Sequence, residues 1–184
     1  MTFQLGMSTP EAPEINATAA SLLGFLHSGP KTGWELQEAV DASIGNFWNV
    51  TRSQVYRELK TLASQGLVTA GATGGRDKVP YKITKDGRAT FASWIAREPD
   101  GDVLRMPLVL TVFFGNHVDP ALLRRFLQSA RIEHEKKHDQ YVALRPQVTE
   151  PFARSTLELG IAYEQTWIKW VDALPWIKEP KSRR

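Results

Sequence analysis

The sequence contains no cysteine. Disulfides and thiolate metal sites are therefore excluded, and stability must come from an ordinary apolar core. No apolar run approaches the ~20 residues that a membrane span needs. The opening residues, MTFQLGMSTPEAPEIN, have neither a basic start nor a long apolar stretch, so they do not read as a signal peptide. A cytoplasmic protein with no membrane partner is expected. Phosphate-loop and dinucleotide glycine patterns are missing, and so is any Ser/His/Asp order. No residue pattern calls for a cofactor. Repeats and low-complexity tracts are also lacking. The 184 residues suffice for one ordinary domain or two small ones.

What is present is unevenly placed charge. Met1 to Val50 holds one lysine against five acids, a net of −4. Thr51 to Arg88 holds eight basic residues against three acids, a net of +5. The remainder is nearly balanced, at +2. A concentrated positive field is what phosphate binding requires, although a solvated basic surface has the same composition. Within the basic stretch, Thr51 and Gln54 have capping-box spacing and predict a helix start. Val55, Leu59 and Leu62 recur at i, i+4 and i+7 as one apolar stripe, with Arg57, Glu58 and Thr61 off it. Gly66 suits the residue just past a helix. Leu67 to Ala70 and Val79 to Ile83 read as two strands around a glycine-rich tip carrying Arg76 and Lys78. A helix followed by a basic two-stranded ribbon is the pattern of a recognition helix and wing.

The flanking sequence supplies the rest of such a domain. Asn16 or Thr18 can cap a first helix with Ala19, Leu22, Leu23 and Leu26 on one face, stopped at Gly29-Pro30. Thr32 and Glu35 form a second capping box, before Trp34, Leu36 and Val40. Phe47 and Trp48 lie in a turn and are expected to pack under a helix corner. Thr84 begins a helix with Phe91, Trp94 and Ile95 on one face. Residues 1–15 read as a mobile arm, 16–98 as a winged helix-turn-helix, 99–118 as a connector and 119–184 as a helical domain. The connector is expected to be mostly helical. Asp119-Pro120 is a helix start, and that helix should run to Arg145. Thr149 can cap a last helix with Phe152, Leu159, Tyr163 and Trp170 on one stripe. The expected fold is mainly α with a small β wing, ending in an antiparallel helical hairpin.

SLLGFLHSGPKTGWELQEAV, SQVYRELKTLASQGLV and VPYKITKDGRATF resemble, in that order, the DNA-binding half of PadR-type transcriptional regulators. LTVFFGNHVDPALLRRFL and ELGIAYEQTWIKWV resemble that family's shorter, virulence-regulator-type tail. Trp34 stands where the family usually has Tyr, and Arg57 where it often has Pro. The resemblance implies a homodimeric repressor on double-stranded DNA with a palindromic operator, and a possible small aromatic effector.

In this reading Gln54 and Arg57 are candidates for base contacts, to adenine and guanine respectively. Gln54 is equally a capping residue, and Arg57 can instead pair with Glu58. Thr51, Ser53, Tyr56 and Lys60 suit phosphate contacts. Arg76 and Lys78 can reach an adjacent groove. The hairpin is expected to dimerise through Phe152, Leu159, Tyr163, Trp167 and Trp170, because one partner helix covers one stripe only. The tryptophans there, Trp176 among them, could also line an effector pocket. One motif points elsewhere. His134-Glu135-Lys136-Lys137-His138 is a literal HExxH, which in a hydrolase holds zinc, with Glu158 or Glu164 as third ligand. Its charged surroundings favour a solvated helix face, with no bound metal and no enzyme. A winged helix that binds protein is the other reading, and the basic recognition segment favours DNA over it.

Overall fold

The computed structural model describes residues 13–45, 47–72, 79–99, 101 and 104–175. The chain divides into two compact units, Met1–Asp100 and Gly101–Arg184.

In the first unit, α1 (Ala17–Phe25) is capped by Asn16, whose Oδ1 accepts from the Ala19 amide at 2.8 Å. Leu22 and Leu23 are buried, and Leu26 follows them into the core in a single 3-10 turn. Gly29, at φ 127°, turns the chain in a region that side-chain-bearing residues rarely adopt. β1 (Lys31–Thr32) leads into α2 (Gly33–Ser43). Thr32 and Glu35 close the predicted capping box. The Thr32 backbone amide, at 2.7 Å, and then its hydroxyl hold the Glu35 carboxyl below its usual range. α3 (Arg52–Ser64) follows, then β2 (Val68–Ala70), β3 (Pro80–Ile83) and α4 (Lys85–Ile95). The sheet is antiparallel in the order β1-β3-β2, with Lys31 opposite Tyr81 and Val68 opposite Ile83. Its third strand, β1, is too short to show alternation in the sequence.

The core of this unit gathers Leu22, Leu23, Leu36, Val40, Val55, Leu59, Leu62 and Ile83. Several expectations need correction. Ile15, assigned to a mobile arm, is in this core at 7% exposure. Trp34 is exposed, because it lies two residues from Leu36, about 200° around the helix. Phe47 and Trp48 are exposed in their turn rather than tucked beneath a corner. Ile95 is exposed as well; α4 turns Gly87, Thr90, Phe91 and Trp94 inward and ends one residue later.

In the second unit, α5 (Pro107–Phe113) and a 3-10 turn precede α6 (Pro120–Leu144) and α7 (Pro151–Ala173). Asp119 caps α6 as expected, accepting from the Ala121 amide at 2.7 Å. α7 is capped by Glu150, not Thr149, through a 2.7 Å bond from the Ala153 amide. α6 and α7 pack as a hairpin around Leu123, Leu127, Trp167 and Val171. Met106, Leu108, Val112 and Val118 pack on the same core, so residues read as a connector belong to this unit. The inward stripe of α7 is Gly160, Glu164, Trp167 and Val171. Trp167 therefore sits in the hairpin's own core at 8% exposure, and does not face outward toward a partner. Phe152 and Leu159, expected on the central stripe, are 83% and 63% exposed. Tyr163 and Trp170 are half-buried. An alanine Cβ at Gly160 would stand 3.3 Å from the Tyr141 ring, so the glycine keeps the helices close there.

Candidate nucleic-acid interface

The architecture of the first unit is a winged helix-turn-helix, with α3 in the recognition position and β2-β3 as the wing. Both ends of α3 are fixed by local bonding. At its start the Thr51 hydroxyl accepts from the Gln54 amide at 3.3 Å, and Gln54 Oε1 accepts from the Thr51 amide at 2.8 Å. At its end Gly66, at φ 72°, lets the Leu67 amide reach the Leu62 carbonyl at 2.9 Å and the Gly66 amide reach Ala63 at 3.1 Å.

Val55, Leu59 and Leu62 bury one side of α3, as their spacing predicts. Thr51, Ser53, Arg57 and Lys60 are exposed on it. Arg52, which the sequence reading passed over, is exposed beside Ser53. A basic residue in the first turn of a recognition helix was the available signal for it. Gln54 is half-buried and its carbonyl is committed to the cap. Tyr56 is half-buried with its ring over α2. A Cβ on Gly33 would fall 2.7 Å from its Cε1 atom, so this glycine sets the close approach of α2 and α3. On the wing, Thr69 and Lys82 are exposed. Arg76 and Lys78 lie outside the described residues.

Glu58 departs from its expected place. It is 6% exposed, buried with the apolar stripe rather than off it. Its Oε2 accepts from Asn16 Nδ2 at 3.1 Å. Its Oε1 accepts from Arg57 Nη2 at 3.2 Å and Nε at 3.4 Å. A buried carboxylate needs such donors, because desolvation without them is costly. Nothing local in the sequence announces the Asn16 contact.

The HExxH stretch is the expected solvated face only in part: Glu135, Lys136 and Lys137 are exposed, while His134 and His138 are half-buried. His134 is turned into the hairpin, where Nδ1 meets the buried Glu164 carboxylate. Its ring stacks on Trp167 with centroids 4.6 Å apart. His138 instead faces Asp139, at 3.3 Å. The two histidines thus have separate carboxylate partners. Among the described residues, no three His, Asp or Glu side chains are grouped to hold a metal ion, and no helix is long and apolar enough to cross a membrane.

Comparison with known proteins gives two family matches. Residues 22–93 match the transcriptional regulator PadR-like family, and residues 104–174 match the virulence activator alpha C-terminal family. The chain is 29% identical to a probable transcriptional regulator, Rv1176c, of Mycobacterium tuberculosis, over 83% of this chain and 92% of that one. It is 23% identical to the negative transcriptional regulator PadR of Bacillus subtilis, over 84% and 93%. The crystal structure of that PadR with operator DNA superposes with a TM-score of 0.71 at 20% identity, covering 86% and 96% of the two chains. Its complex with p-coumaric acid gives 0.64 at 17% identity, covering 87% and 96%.

Proposed function

Because the chain belongs to the PadR-like family of transcriptional regulators, which bind DNA, we propose that it is a homodimeric repressor of a palindromic operator. The observation that carries this reading is the exposed start of α3. Thr51, Arg52, Ser53, Arg57 and Lys60 face solvent on a helix locked at both ends. Arg57 reads a guanine, while Thr51, Ser53 and Lys60 hold phosphates. Gln54 serves mainly as the cap, and Tyr56 as the brace on α2. Arg76 and Lys78 at the wing tip bind the flanking backbone. A small aromatic compound releases the protein from DNA; the p-coumaric acid complex of the Bacillus PadR supports that class of effector.

Dimerisation uses the apolar residues that the hairpin leaves outside. Phe152 and Leu159 on α7 and Ile132 and Val142 on α6 are all exposed. A second copy of the same surface buries them most simply. Tyr163 and Trp170 can extend that surface from their half-buried positions. A twofold dimer also suits a palindrome, with recognition helices about 34–36 Å apart in successive major grooves.

Gel-shift titration against the DNA upstream of its own gene tests the reading. Arg57→Ala should weaken the preferred site by about 1–3 kcal/mol and relax specificity at one base pair per half-site. Equal losses on specific and random DNA would assign Arg57 to phosphate alone. Removing Arg76 or Lys78 should weaken binding to all sequences and flatten the salt dependence by roughly one unit per lost contact. An unchanged slope would take the wing out of the footprint.

A further inference from the structure

We propose that Glu58 is a positioning residue for DNA reading: it seats the Arg57 guanidinium so that one edge is held and the other is presented to a base. The proposal rests on the DNA-binding reading above. A guanidinium has two edges able to make paired hydrogen bonds, one through Nε and Nη2 and one through Nη1 and Nη2. Glu58 Oε1 occupies the first, at 3.4 Å from Nε and 3.2 Å from Nη2. Among the described residues the second has no hydrogen-bond partner, on a side chain that is 66% exposed. That second edge is the one that pairs end-on with guanine O6 and N7.

The seat is itself fixed. Glu58 is buried, and its Oε2 is tied to Asn16 Nδ2 at 3.1 Å. Asn16 cannot turn freely, because its Oδ1 caps α1 at the Ala19 amide, 2.8 Å away. The carboxylate therefore joins the start of α1 to the reading side chain of α3. An exposed arginine on an exposed acid gains little from pairing, since both side chains lose freedom. Here the acid is already immobile, so only Arg57 has to be ordered.

The two neighbours sit on different oxygens of the carboxylate, Asn16 on Oε2 and Arg57 on Oε1. A glutamine at the same position has one carbonyl oxygen and must leave either Asn16 or Arg57 facing its amide nitrogen. Glu58→Gln keeps the volume and is the first variant, with Glu58→Met as a second of similar size. Both are made in the full chain, alone and combined with Arg57→Ala. A preferred site is selected with the wild-type protein from a randomised double-stranded DNA pool. The pair read by Arg57 is the position where Arg57→Ala loses discrimination.

Glu58→Gln should lower discrimination at that same pair about tenfold and leave other positions unchanged. In the Arg57→Ala background it should change binding no further. An equal loss in both backgrounds, or loss spread over all positions, would make Glu58 a purely structural residue and overturn the proposal. Unchanged discrimination in Glu58→Gln and Glu58→Met would overturn it too. If Arg57→Ala spares every position, this proposal and the guanine assignment fall while DNA binding stands. If the wild type selects no sequence, the functional reading falls with them.

Discussion

Replacing Gly87 with alanine is expected to destabilise the N-terminal unit by about 3 kcal/mol, the upper end for forcing atoms into a filled space. Gly87 lies in the first turn of α4, where a Cβ would run into the Leu67 carbonyl oxygen and stand 2.9 Å from Ile83 Cγ1. The first obstacle is backbone, so no rotamer change relieves it. That carbonyl is also in use: it accepts from the Thr84 amide at 3.1 Å. The Thr84 hydroxyl lies 2.8 Å from the Gly66 carbonyl and accepts from the Gly87 amide at 3.0 Å. The end of α3, both wing strands and α4 therefore meet at one crowded point. Displacing Gly87 would move the wing relative to the recognition helix. Thermal unfolding of the full chain should show a fall of roughly 12–24 °C for the N-terminal transition. Gly101→Ala is the control, because among the described residues nothing lies within 4 Å of the added carbon. Equal melting temperatures for the two variants would contradict the packing account.

A fragment ending at Pro99 is expected to stay folded, to be monomeric and to lose most of its specific affinity. Its core is self-contained, from Ile15 through Ile83 with Phe91 and Trp94 packed against it. The apolar surface assigned to dimerisation, around Phe152 and Leu159, is removed with the hairpin. Each half-site is then bound alone. Losing the effective concentration set by the link costs roughly 10²–10⁴-fold in overall affinity. Sedimentation of fragment and full chain, with titration onto full and half sites, measures both parts. A fragment that still sediments as a dimer would show that the hairpin is not the main interface.

The parts of this structure that were legible in the sequence are those determined by near neighbours. The caps at Thr32 and Thr51 need only a partner three residues away, and both closed as their spacing predicted. The Gly66 stop and the Val55, Leu59, Leu62 stripe are equally local. What escaped depends on distant partners. Glu58 is polar and breaks the apolar period, and its burial is explained by Asn16, 42 residues earlier. The inward face of α7 was misassigned for the same reason. Two of its four buried positions are Gly160 and Glu164, which carry no apolar signal. Glu164 is tolerated there because His134 meets it across the hairpin. Phe152 and Leu159 supplied the apolar period instead, and they face outward.

The pairing of β1 with β3 has a consequence for the order in which the domain assembles. Lys31 and Tyr81 are partners fifty positions apart in the chain. The contacts of α2 with α1 and with α3, such as the approach of Gly33 to Tyr56, close shorter loops, so somewhat less chain entropy is lost in making them. The helical trio should therefore be native-like at the rate-limiting barrier, with the outer strand docking afterwards. Loosening β3 on both sides, as in Tyr81→Ala at the position that faces Lys31 of β1 and Ala70 of β2, should speed unfolding while leaving the folding rate nearly unchanged. Leu59→Ala, in the helical core, should slow folding. Stopped-flow denaturant jumps on the two variants separate the cases. The strand that completes the sheet would then be the first part of it to open.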